Sequence, residues 1–144
     1  MADVDELVRL EIPARPVYVG VARSVVVAVA SGLEGLDIDR LEDLRLAVSE
    51  ACTNAIEAQQ GIDQRVVLRC LATGTSLEVS IEDNGPGFEP EPSGHTFGQT
   101  DAAQMQTERG WGLQLIRALV DEVTFEPSGP GTAVRLRLDL SGVG

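Results

Sequence analysis

The 144-residue sequence contains no lysine, so all of its 11 basic residues are arginine. A P-loop holds nucleotide phosphates with a lysine, and Schiff-base catalysis needs a lysine amine, so this absence excludes both. Histidine is almost absent as well. The single His95 falls in a stretch rich in glycine, proline and serine, which is a poor support for a Ser-His-Asp arrangement.

Other features that are scarce narrow the class of protein further. Only two cysteines occur, Cys52 and Cys70, and both lie in apolar periodic segments, which favours buried free thiols over a disulfide or zinc site. No apolar run approaches the roughly 20 residues that a bilayer requires, and the N-terminal segment is acidic, unlike a secretion signal. We therefore expect a cytoplasmic protein without a membrane span. The net charge of −12 argues against direct binding of nucleic-acid phosphates.

The apolar periodicity predicts one domain over 1–144, because this length suits a single core. Alternating residues predict strands, and residues repeating every three or four positions predict helices. The predicted order is a strand (7–14), a helix (19–33), a second helix (38–61, with Gly61 as the stop) and a hairpin (65–83). A long loop (84–109), a third helix (111–123) and a second hairpin (123–140) follow. This order predicts a two-layer α/β sandwich in which helices cover one face of a mixed, mostly antiparallel sheet.

The first candidate for a binding site is the segment SLEVSIED followed by NGPGF. Period 2 places Asp83 on the same face as Leu77, Val79 and Ile81, so its carboxylate points toward the core. A buried charge is costly unless a hydrogen-bond donor satisfies it, and the exocyclic amine of a purine would be such a donor. Gly85 and Gly87 then allow a sharp turn with space for a ring.

The second candidate lies on the long helix. Asp43, Ala47, Glu50, Asn54 and Glu57 follow steps of three and four residues, so they form one row beside the apolar stripe. An acid and an amide one turn apart suit a hard cation such as Mg²⁺, and the acid is also suited to act as a general base.

Two further candidates involve glycines. Gly110 and Gly112 open the helix after the long loop, beside Arg109, where free N–H groups favour an anion. Gly131 precedes Thr132 at the start of the last strand, where a hydroxyl could share a water with a bound ring. Taken singly, the four candidates have plainer explanations, namely a tight turn, a solvated helix face, flexible glycines and a hairpin turn.

The order of the four candidates is more informative than any one of them. E-x-x-x-N on a helix, D-x-G-x-G after a strand, G-x-G at a helix start and G-T before the last strand together resemble the Bergerat nucleotide-binding fold of gyrase-type ATPases, Hsp90 chaperones and histidine kinases. The segments LRLAVSEACTNAIEA, EDNGPGF and RGWGLQLIRALVDEVTFEPSGPGTAVRLRL narrow the resemblance to bacterial anti-sigma regulatory factors, the serine kinases of the RsbW type.

The resemblance implies a function and a role for each matching residue. It implies a serine/threonine kinase that uses ATP and Mg²⁺, sequesters a sigma factor and phosphorylates a STAS-type antagonist protein. A homodimer is a further expectation that rests on likeness alone. The implied catalytic base is Glu50 and the implied Mg²⁺ ligand is Asn54. The residues implied in nucleotide binding, under an ATP lid at about 88–109, are Asp83, Gly85, Gly87 and Thr132 for adenine, and Gly110, Gly112 and Arg109 for the phosphates.

Three alternatives remain open from the sequence. One is a nucleotide-gated binding protein of the same fold with little or no kinase activity. Another is the detached catalytic domain of a histidine kinase, although the chain lacks a helical hairpin with a phosphoacceptor histidine. The third is a structural α/β domain that binds no nucleotide.

Overall fold

The elements of the fold appear in a computed structural model that describes residues 4–59, 64–83, 111–128 and 131–140. In chain order they are β1 (Asp5–Pro13), α1 (Val19–Ser31), α2 (Ile38–Glu57), β2 (Arg65–Ala72), β3 (Ser76–Asp83), α3 (Trp111–Leu119), β4 (Glu122–Ser128) and β5 (Gly131–Asp139). A short 3₁₀ turn, Pro16–Tyr18, precedes α1. The predicted order of strands and helices is confirmed, while the predicted loop at 84–109 lies outside the described residues.

The five strands form one sheet in the order β1-β2-β3-β5-β4. Every pairing between neighbours in the described residues is antiparallel, so the parallel pair of a mixed sheet is not among them. Helices α1, α2 and α3 cover one face: α1 contacts β1 and β2, α2 contacts β2 and β3, and α3 contacts β4. The expected two-layer α/β sandwich is therefore confirmed.

The long helix α2 is the centre of the helical layer, between α1 and α3. The Asp37 carboxylate caps its start by accepting a 2.9 Å hydrogen bond from the Arg40 amide, and Asp39 adds a negative charge to the first turn. Its apolar stripe is buried along the length of the helix and comprises Leu44, Ala47, Val48, Ala51, Cys52, Ala55 and Ile56. These residues pack on the inner face of the sheet in one continuous core.

Two predicted helix ends were wrong. Helix α2 ends at Glu57, before the predicted stop at Gly61, because the Gln59 amide turns back to the Ile56 carbonyl (3.1 Å) and its side-chain amide donates to Ala55 (3.1 Å). Helix α3 ends at Leu119, before position 123. The reason is that the amide of Asp121 already donates to the Arg137 carbonyl (2.9 Å), which begins the pairing of β4 with β5.

Both cysteines are buried and free, as the sequence predicts. Burial raises the pKa of the Cys52 thiol to about 12 and that of the Cys70 thiol to about 11, because a thiolate is poorly solvated in the core. No helix in the described part of the chain is long and apolar enough to cross a membrane.

In the described part of the chain, the other face of the sheet, which we call the open face, carries charged side chains and no helix. Arg69 bonds to Glu6 at 2.8 Å and lies 3.5 Å from Glu82, and these carboxylates raise the pKa of its guanidinium. On the same face, the guanidinium of Arg135 lies 3.7 Å from the carboxylate of Glu126. The remaining pairs on this face are Arg65 with Glu11, Arg135 with Glu78, and Arg137 with Glu122 and Asp139.

A second charged group, the Arg40 cluster, joins α2 to the end of α3 and to β5. The Arg40 guanidinium donates to the Leu119 carbonyl at 3.1 Å, to Asp121 at 3.0 Å and to Asp43 at 3.3 Å. Asp121 also accepts a 2.7 Å hydrogen bond from the amide of Asp139. Because Leu119 is the last residue of α3, this cluster fixes the carboxyl end of that helix beside the beginning of α2.

Candidate functional site

Asp83 is the last residue of β3 and lies on the inner face of the sheet, as period 2 predicts. It is opposite Val66 on β2 and is only 7% exposed. Its neighbours along that face are fully buried aliphatic side chains, so the carboxylate sits at the edge of the core. Asp83 takes part in at least one interaction within the protein, which offsets part of the cost of burying its charge.

The start of β5 closes one side of this position. The β3–β5 register pairs Glu82 with Ala133, so Thr132 is level with Asp83 on the neighbouring strand. Gly131, the residue before Thr132, is the first residue of β5. A Cβ atom on Gly131 would lie 1.9 Å from the Asp83 carbonyl oxygen and 2.6 Å from Oδ1 of its carboxylate. The two strands therefore approach each other so closely here that only glycine fits at position 131.

Glu50 and Asn54 occupy the carboxyl-terminal half of α2, and both are half-buried. The row to which they belong borders the core as predicted, with Ala47 fully buried and Glu57 exposed. Within the described residues, neither the Glu50 carboxylate nor the side-chain amide of Asn54 forms a hydrogen bond or ion pair. Asp43, in the same row, pairs with Arg40. The side chains of Glu50 and Asn54 both border the core, and in the described residues no hydrogen bond or ion pair occupies their polar atoms.

The connections of α2 place Glu50 and Asn54 toward the Asp83 end of the sheet. The amino end of α2 is tied through Arg40 and Asp121 to Asp139, at the opposite end of β5 from Gly131. Its carboxyl end leads into β2, whose second residue, Val66, is the cross-strand partner of Asp83. The second half of α2 and the end of β3 therefore lie at the same end of the molecule.

Helix α3 runs in the opposite direction to α2, since its last residue bonds to Arg40 near the start of α2. Its amino end, which begins at Trp111 with Gly112 in the first turn, is therefore directed toward the Asp83 end. Free N–H groups at such an end attract anions. The predicted site residues Gly85, Gly87, Arg109 and Gly110 lie outside the described residues.

Two structural contributors were missed from the sequence. Gly131 was noted beside Thr132 at the start of the last strand, but the proposed role belonged to the Thr132 hydroxyl, and the close contact of Gly131 with Asp83 was not predicted. Arg40 was not noted at all. The only signal for it is its position three residues after the N-cap Asp37, which does not reveal a contact with a helix far along the chain.

A shallow groove on the outer surface of α1 and α2 does not belong to this site. It has a volume of about 290 Å³ and is lined by Arg23, Glu42, Asp43, Arg45, Leu46 and Ser49. All six residues are on α1 or α2, and none is on β3 or β5, which carry Asp83 and Gly131. The site residues are instead gathered at the end of the helix–sheet layer.

Comparison with known proteins identifies the family to which the chain belongs. The histidine kinase-like ATPase domain family matches residues 12–138. Serine-protein kinase RsbW of Bacillus pumilus is 36% identical over 88% of this chain and 82% of its own. The Bacillus subtilis protein of the same name is 33% identical over 95% of this chain and 88% of its own.

The chain belongs to the RsbW family of serine-protein kinases. RsbW from Listeria monocytogenes is a further relative, 36% identical over 85% of this chain and 81% of its own. A solved structure of the RsbU and RsbW domains of a Mycobacterium tuberculosis protein superposes with a TM-score of 0.66 over 92% of this chain and 31% of that one. At 20% identity, that structure supports the fold alone. The family and the fold expected from the sequence are confirmed, and this RsbW-family chain is a protein serine kinase that uses ATP.

Proposed function

We propose that this kinase silences a sigma factor by binding it and is reversed by an antagonist protein whose serine or threonine it phosphorylates. Membership of the RsbW family supports this function. The observation on the molecule that carries it is the unpartnered pair on α2, Glu50 and Asn54. The two side chains lie one turn apart on the same helix face, and no partner in the described residues occupies their polar atoms, so both are available to a ligand.

Glu50 is the proposed catalytic base. It would accept the proton of the antagonist's serine hydroxyl while the serine oxygen forms its bond to the γ-phosphorus and the bond from that phosphorus to the departing ADP breaks. Such a base must keep a carboxylate oxygen available to the hydroxyl proton. The free Glu50 carboxylate of this structure meets that condition among the described residues.

Asn54 is the proposed ligand of Mg²⁺, one helical turn beyond the base. Amide and carboxylate oxygens are the ligands that this hard cation prefers, and both occur here without competing partners in the described chain. When bound, Mg²⁺ supplies charge neutralisation to the transferred phosphoryl group. Because Asn54 and Glu50 are four residues apart on one helix face, the chain holds the metal ligand and the base beside each other.

Asp83 is the proposed reader of adenine, since its carboxylate can accept a hydrogen bond from the exocyclic amine. Thr132, half-buried and level with Asp83, supports the same ring. We further propose that Gly85 and Gly87 leave room for the base. The amino end of α3, with Gly110, Gly112 and Arg109, would bind the phosphates beneath a lid at about 88–109.

The antagonist is proposed to be of the STAS type, and the kinase is proposed to act in the cytoplasm, where sigma factors bind RNA polymerase. A homodimer is also proposed. The open face supports it as a contact surface, because its rows of acids and arginines can pair with the same rows of a second copy. Sedimentation equilibrium at low and high salt tests this point, and a monomer at all concentrations would contradict it.

The test of the proposed site combines calorimetric binding of ATP with phosphate transfer to a STAS-type antagonist. Glu50→Gln should lower the transfer rate by about 10²- to 10⁴-fold and leave the Kd for ATP within about threefold. Asp83→Asn should weaken ATP binding by about tenfold or more. Glu57→Gln is the matched control, since Glu57 is an exposed acid on the same row, and it should change neither quantity.

The outcomes separate the proposed roles. Loss of ATP binding in Glu50→Gln, together with unchanged binding in Asp83→Asn, would reverse the two assignments. ATP binding and sigma-factor binding without any transfer by the wild type would instead make the protein a nucleotide-gated binding protein.

A further inference from the structure

The contact between the start of β5 and the end of β3 has a consequence for nucleotide selection. The three atoms nearest to a Cβ built on Gly131 all belong to Asp83: the carbonyl oxygen at 1.9 Å, Oδ1 at 2.6 Å and the carbonyl carbon at 2.7 Å. Atoms that are not bonded do not approach this closely. Since two of the three belong to the backbone, no side-chain rotation of Asp83 could make room for a larger residue.

We propose that Gly131 is a positioning residue that sets the Asp83 carboxylate for recognition of the purine amine. The proposal rests on the proposed function of Asp83. A side chain at position 131 would push the end of β3 away, and Oδ1 is among the atoms that would move. Hydrogen bonds weaken steeply with distance and angle, so a small displacement removes the preference for the amine.

Other positions in the same sheet tolerate a Cβ atom, so the requirement for glycine is not general to the sheet. Ala133, which pairs with Glu82, already has a Cβ and is accommodated in the sheet at 4% exposure. Gly74, in the turn between β2 and β3, has no atom within 4 Å of a Cβ built on it. Among these positions, the requirement for glycine is therefore specific to the contact with Asp83.

The test is the ratio of affinities for ATP and ITP, measured by calorimetry with Mg²⁺ present. ITP carries a carbonyl oxygen in place of the amine and is otherwise nearly the same size. The wild type should prefer ATP by about ten- to a hundredfold, the effect of a hydrogen bond to a charged group. Gly131→Ala should reduce this ratio to that of Asp83→Ala, while the matched control Gly74→Ala should keep the wild-type ratio.

A merely structural role for Gly131 predicts a different result. General destabilisation lowers the folded fraction, which weakens ATP and ITP binding equally and leaves the ratio unchanged, so an unchanged ratio in Gly131→Ala overturns the proposal. The double variant Gly131→Ala/Asp83→Ala should show the same ratio as Asp83→Ala alone, because both act through one carboxylate. A wild type that prefers ATP no more than Asp83→Ala does would contradict the role of Asp83 itself, which is a distinguishable failure.

A second measurement applies if Gly131→Ala does not fold. In wild-type protein labelled with ¹⁵N-glycine, the amide resonance of Gly131 should shift on saturation with ATP, and ITP should not reproduce that shift. The Gly74 resonance should stay unchanged with both nucleotides. Equal shifts of Gly131 with ATP and ITP would overturn the proposal.

Discussion

Removal of the Arg40 side chain should destabilise the fold far more than removal of another arginine on the same helix. In Arg40→Ala the carbonyl of Leu119 loses a 3.1 Å hydrogen bond, and Asp121 and Asp43 lose partners at 3.0 and 3.3 Å. The Arg40 side chain is 30% exposed and the two acids are each 37% exposed, so solvent screens these interactions in part.

The magnitude follows from these contacts. Two partly screened ion pairs contribute about 0.5–1 kcal/mol each, and the charged donor at the end of α3 contributes about 1 kcal/mol more. Arg40→Ala should therefore lower the free energy of unfolding by about 2–3 kcal/mol. At about 3 °C per kcal/mol for a domain of this size, Tm should fall by about 6–9 °C.

Arg45→Ala is the matched control. Arg45 also lies on α2 and pairs with Glu42 at 3.5 Å, but the two side chains are 51% and 61% exposed. Such a pair contributes about 0.3–0.5 kcal/mol, so Tm should fall by no more than about 2 °C. Arg40→Lys should lie between the two, because an ammonium keeps the charge but lacks the planar fork that reaches the carbonyl and the acid together.

Urea denaturation followed by circular dichroism gives the free energies, with equal m-values required for the comparison. Equal destabilisation by Arg40→Ala and Arg45→Ala would refute the reasoning, since it would mean that the cluster contributes no more than an exposed pair.

Two further predictions concern the core. Cys52 and Cys70 should not react with a thiol reagent at pH 8 in the native state and should react once the chain is unfolded. Because burial raises both thiol pKa values above the ordinary 9.0, the free energy of unfolding should fall as pH rises from about 9 toward 12. Denaturation at stepped pH measures this fall, and a pH-independent free energy in that range would contradict the prediction. Leu68→Ala, at a fully buried position, should lower the free energy of unfolding by about 2–5 kcal/mol. Leu115→Ala, at a position that is 36% exposed, should lower it by less than about 1 kcal/mol. Similar losses for the two variants in urea denaturation would contradict the assigned burial.

Local periodicity was sufficient for much of the fold and for part of the site. Alternation along SLEVSIED placed Asp83 on the inner face, and helical spacing placed Glu50 and Asn54 beside the core. These relations depend only on the geometry of one strand or one helix, so the sequence carries them directly. The turn at 73–75 was equally local, because the Thr73 hydroxyl oxygen accepts the amide of Ser76 within the same turn (2.9 Å).

Contacts between distant segments could not be predicted in this way. Arg40 bonds to a carbonyl 79 positions later, and no periodic pattern links the two. The clash that reserves position 131 for glycine depends on the register of β3 with β5, which only the assembled sheet defines. Helix ends were also missed, since Gln59 and Asp121 end α2 and α3 through hydrogen bonds that periodicity does not reveal.

The open face has a consequence for how this surface could be regulated. Every cation in these ion pairs is an arginine, and a guanidinium offers no amine to the enzymes that acetylate lysine. Lysine acetylation therefore cannot neutralise the positive charges of these ion pairs. A change in salt concentration, which screens these exposed pairs, and modification of the guanidinium groups themselves are routes that do not depend on lysine.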